Sequence, residues 1–178
     1  SQMSKEQFFD VVPLREGALP TKSHDEIAAF WRLYENTIKI ASSIQTEISN
    51  LMTTIEKTKL ALNQSRSSSG DIESEYSLLR NKILDLDERV SGNRSKSGPG
   101  EKNNPTVSSR LYVVGRIMEY STYGPTETAK EQLELSQKEL SNIEDTIDNL
   151  DNDLNALLTA IYNSGGPLIE GKIGSITK

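Results

Sequence analysis

Between residues 129 and 161 the apolar side chains fall at Ala129, Leu133, Leu140, Ile143, Ile147, Leu150, Leu154, Leu157 and Ile161. The steps of three and four residues lay one apolar stripe along a helix that packs lengthwise against others. The only lapse is Ser136, which takes the slot between Leu133 and Leu140. A stripe of this length requires partners of similar reach, and the rest of the chain supplies them.

The first partner begins at Ser23, with Glu26 three residues on in a capping-box pattern. From there a heptad runs through Ile27, Tyr34, Ala41, Ile48, Ile55 and Leu62, with Phe30, Thr37, Ile44, Leu51 and Thr58 between. Trp31, Ile38 and Met52 widen the stripe, which predicts contact with more than one neighbour. The helix is expected over 23–63, a rod of roughly 60 Å. The stretch from Ser65 to Gly70 reads as a turn.

A second helix is expected over 71–91, with Ile72, Tyr76, Leu79, Ile83, Leu86 and Val90 on its apolar face and Gly92 as its C-terminal cap. The segment 91–104 is rich in serine, glycine and basic residues (Arg94, Lys96, Lys102), and predicts a mobile, solvated loop. A third helix over 107–120 shows Val107, Leu111, Val114 and Met118 on one face. The last helix is expected over 127–163, capped by Thr126 or Thr128, with Thr128 and Glu131 forming a second capping-box pattern, and stopped by Gly165-Gly166-Pro167.

These lengths predict an all-α, elongated antiparallel bundle of three rods, the middle one broken into two shorter helices. A four-helix up-and-down bundle is the alternative. The domain plan is an extended N-terminal arm over 1–22, a helical bundle over 23–163 and a C-terminal tail over 164–178. In the arm, Phe8, Phe9, Val11, Val12 and Pro13 form an apolar run ending in proline. The run reads as a strand belonging to something upstream, or as an arm laid over the end of the bundle.

Composition narrows the functional classes. The net charge of -6 and pI near 5.0 repel phosphate backbones and anionic membrane surfaces, so neither nucleic acid nor lipid is an expected partner. No apolar run approaches a membrane span. The absence of cysteine removes disulfides, thiolate metal sites and cysteine nucleophiles, and suits either a reducing compartment or a secreted bacterial protein without bridges. No signal peptide is visible. Ser1-Gln2-Met3 resembles a protease-cleavage remnant, with the natural N-terminus then lying elsewhere and localisation left open.

Chemistry-bearing residues are few. His24 is the single histidine, expected in a solvated first helical turn beside Asp25 and Glu26. Glu144, Asp145, Asp148, Asp151 and Asp153 cluster as a cation site would, but lack the glycine turn of a calcium loop and interleave with Ile147, Leu150 and Leu154. A solvated helix face is the reading. No phosphate loop, nucleophile elbow or zinc-helix motif occurs. No catalytic, cofactor or metal residue is therefore assigned. Trp31 is read as core rather than as a binding hot spot.

Two stretches carry a family resemblance. One is Phe9-Asp10-Val11-Val12-Pro13-Leu14-Arg15, followed by Ser23 and the long helix. The other is Ser109-Arg110-Leu111-Tyr112, then Gly124-Pro125-Thr126 and the amphipathic helix ending in Asp153-Leu154-Asn155-Ala156-Leu157-Leu158. Together they resemble the C-terminal helical region of large bacterial sortilin-like β-propeller proteins, common in Bacteroidetes and often labelled glycosyl hydrolases. Where that family carries an Asp-Pro-Arg-like triplet, this chain has Pro13-Leu14-Arg15.

The resemblance implies a non-catalytic accessory or interaction domain of an exported protein, located in the cell envelope or secreted. Its partner would be an upstream β-propeller of the same polypeptide, or another protein. A cytoplasmic coiled-coil adaptor acting by oligomerisation is the second reading. A helical carbohydrate or metal enzyme is the third.

Overall fold

A computed structural model describes residues 7–12, 20–65, 70–93 and 104–169. Residues 66–69 of the turn expected from Ser65 to Gly70, most of the 91–104 loop, the triplet Pro13-Leu14-Arg15 and the tail beyond 169 lie outside the described residues.

The described chain is all-helical: α1 (His24–Gln64), α2 (Gly70–Ser91), α3 (Val107–Tyr120) and α4 (Glu127–Asn163). Local chemistry explains where each begins and ends. Ser23 accepts from the Glu26 amide while the Glu26 carboxylate accepts from the Ser23 amide, so two donors orphaned at the start of α1 are satisfied together. Thr106 and Ser109 close an equivalent box at α3, with the serine hydroxyl in place of a carboxylate.

At α4 the cap is Thr126, whose hydroxyl accepts from the Ala129 amide. The Thr128–Glu131 box does not form, because Thr128 is already inside the helix that Thr126 has started. α2 stops at Gly92, where φ is 87° and the amide donates to the Glu88 carbonyl. α4 stops in a Schellman pair: the Gly165 amide, at φ 82°, donates to Tyr162 and the Gly166 amide to Ile161.

Rod directions follow from the order of the side-chain links. Gln137 donates to Thr37, and Ser65 donates to the Ser164 carbonyl, so α1 and α4 ascend together and are parallel. Against α4 the middle rod descends: Arg110 meets Gln132, Arg89 meets Glu139, and Lys82 meets Asp153. Gln45 donates to Asp87, placing α2 antiparallel to the later half of α1. α2 and α3 thus run in series between two long parallel helices, which is a three-rod bundle rather than four helices up and down.

The core is a seam along this axis. α1 contributes Ile44, Ile48, Leu51 and Ile55, and α2 contributes Leu79, Ile83, Leu86 and Val90. α3 adds Val107, Leu111, Val114 and Met118, and the whole α4 stripe is buried. Ser136 is no break in it: the side chain is fully buried and its hydroxyl donates to the Gln132 carbonyl.

The seam thins toward the start of α1, where Ile27, Phe30, Trp31, Tyr34 and Ala41 are only partly buried. Met52 is likewise partly buried, but Ile38 is 39% exposed and does not extend the packed stripe. It stands about 100° around the helix from buried Thr37, where the surface turns to solvent.

Candidate functional site

Three places concentrate polar or aromatic side chains: the acidic face of α4, a cleft at the break in the middle rod, and the pole of the bundle at the start of α1. On α4, Glu144, Asp145, Asp148 and Asp153 are exposed and Asp151 is half-buried, while Ile147, Leu150 and Leu154 point inward. Asn149 and Asn152 donate back to the carbonyls of Asp145 and Asp148, and Asp153 faces Lys82 at 3.6 Å. Among the described residues no cluster of histidine and acidic side chains converges to hold a metal ion.

The cleft, of about 780 Å3, lies between the end of α2, the start of α3 and one flank of α4. Its charged lining residues are Asp85, Glu88, Arg89, Arg110, Lys138 and Glu139, joined by the apolar Leu135. Acidic and basic side chains share this lining, and one pair of them is joined across the rods. Arg89 Nε donates to Glu139 Oε1 at 2.8 Å, and Arg110 Nη1 donates to Gln132 Oε1 at 2.7 Å. These are cross-rod clamps between residues far apart in sequence, and no local pattern announces them. Among the described residues, the cleft lining holds no nucleophile and base against each other.

The pole at the start of α1 also takes in the end of α3 and the start of α4. The Lys22 amide donates to the Tyr123 carbonyl at 3.2 Å, and Gly124, at φ 95°, lies against Lys22 and Ile27. His24 is exposed in the first turn of α1, as the first-turn position implies. Trp31 is half-buried and meets Tyr34 edge-on, with centroids 5.6 Å apart. Tyr120 is exposed beneath the Arg116 guanidinium at 4.2 Å, and Tyr123 is exposed beside it in sequence on the connection to α4.

Three groups are displaced from their usual pKa. The Ser23 amide, then the Ser23 hydroxyl, hold the Glu26 carboxyl below its ordinary value. A hydrogen bond from Lys130, then its charge, lowers Glu127. Burial, then the Glu119 charge, raises Tyr34. The two carboxyls belong to helix starts and the phenol to a helix–helix contact, so each displacement has a structural cause.

Upstream in the chain, residues 7–12 are a described part of the arm. Residues 7–12 form no helix, turn or bend, and no backbone hydrogen bond joins them to the described bundle. Phe8, Phe9, Val11 and Val12 are 93, 82, 86 and 76% exposed, so these four side chains are not laid over the described bundle. No helix among the described residues is long and apolar enough to cross a membrane. No protein-family model, curated protein or solved structure matches the chain.

Proposed function

We propose that this chain is a non-catalytic helical accessory domain of a larger exported β-propeller protein, acting by packing against another folded unit of that polypeptide or against a second protein. The observation that supports this most is the uncovered apolar arm. Four large apolar side chains within five residues, none packed on the bundle, form a surface that water disfavours and a partner would cover. The sortilin-like resemblance of the same segment agrees with a partner upstream.

The rival is a cytoplasmic coiled-coil adaptor that oligomerises through its heptads. From Ile44 onward in α1, and along the whole α4 stripe, those heptad positions are already buried inside one chain. That favours the accessory-domain reading.

An antibody raised against this chain, used on fractions of the source cells, tests it. A band several times larger than 19.8 kDa in the envelope or medium is the expected result. A cytosolic band near 19.8 kDa would overturn it.

A further inference from the structure

We infer that residues 8–12 are a β-strand donated to the open edge of a sheet in a partner unit, and that this sheet is covered on both faces. The inference rests on the accessory-domain reading and names the chemistry of what that domain docks with.

The first support is the backbone. Residues 7–12 make no backbone hydrogen bond to the described residues, and amides and carbonyls that become buried must be paired. The second is the side-chain pattern. In an extended strand Phe9 and Val11 share one face, while Phe8 and Val12 share the other with Asp10 between them. A strand on a one-sided sheet alternates apolar and polar; large apolar residues on both faces mark one covered above and below. Phenylalanine and valine also suit a pleated, packed surface, and Pro13, with no N–H to give, bounds the ladder.

Other occupants fit less well. The arm's own bundle leaves it exposed. A second copy has no sheet among its described residues, and two arms alone would make a two-stranded ribbon, marginal in water. A lipid surface would have to take up Asp10 at the centre of the run and a chain of net charge -6. The chain that follows residues 8–12 enters the bundle at Lys22, whose amide donates to the Tyr123 carbonyl, so Tyr120 and Tyr123 are exposed aromatics at that point of entry.

The test places the photocross-linker benzoylphenylalanine at position 9 of the full chain in its source cells. The expected adduct maps to an edge strand of a folded β-sheet, in the same polypeptide or in another protein. Val11→Pro, which removes a ladder donor, should lower its yield about tenfold, with the melting temperature of the bundle unchanged. An adduct on a helix, a lipid or a second copy of this chain, or no adduct, would overturn the strand. The same probe at position 123 separates the two failures. An adduct from 123 without one from 9 leaves the accessory domain standing and removes the strand; silence at both removes both.

Discussion

The Tyr34 hydroxyl lies over the backbone of Gly115, where α1 and α3 approach so closely that a Cβ on residue 115 would collide with it. Gly115 is therefore a contact residue, defined by what it lacks. Gly115→Ala should destabilise the bundle by about 1–3 kcal/mol through overpacking. In a Tyr34→Phe background the penalty should shrink without vanishing, because the ring Cζ would still sit 3.2 Å from the new methyl. Urea unfolding of the double-mutant cycle measures the coupling; additive penalties would refute the contact.

The same phenol predicts an alkaline limit. Burial and the Glu119 charge raise its folded pKa above the ordinary 10.0, so the folded state keeps the proton longer than the unfolded chain does. The stabilisation is complete below the unfolded value and is lost as pH rises through the folded one. Wild type should lose more stability than Tyr34→Phe between about pH 9 and pH 11, where tyrosine titrates. Parallel melting curves would contradict this.

At the acid end, Glu26 behaves oppositely. Its folded pKa lies below the ordinary 4.5, so its contribution is present above that value and is lost as pH falls through the folded one. Melting temperatures of wild type and Glu26→Gln should differ at neutral pH and converge in acid. A gap that persists in acid would mean the carboxylate is not what holds the cap.

Core and arm should respond differently to truncation. Ile48 and Ile143 are fully buried, and alanine at either should cost about 2–5 kcal/mol. Phe9 is 82% exposed, and Phe9→Ala should change the stability of the isolated chain by no more than about 0.5 kcal/mol. A larger loss at Phe9 would show that the arm packs on the bundle.

Glycines at the helix ends divide by geometry. Gly165→Ala forces a side chain to φ 82° and should destabilise by about 1 kcal/mol. At Gly70, the first residue of α2, a Cβ meets nothing within 4 Å. Gly70→Ala should be neutral or stabilising by up to about 1 kcal/mol, because it restricts the unfolded chain. Calorimetry of the two variants compares them directly.

The local half of this protein is legible in its sequence. Helix identity, the buried faces and the stop signals at Gly92 and Gly165-Gly166 depend on neighbours within a turn or two, so the spacing of apolar side chains and caps reveals them. The remainder follows from how the rods dock. Thr126 and Thr128 are equivalent chemically, and the choice of Thr126 goes with the Gly124 turn held against Lys22 and Ile27. Ile38 matches the heptad flank as well as Met52 does, and only the neighbouring rods decide which is covered. The Arg89–Glu139 clamp, the parallel course of α1 and α4, and the seating of Tyr34 on Gly115 join residues tens of positions apart. No local pattern carries such pairings, because they exist only once the rods have docked.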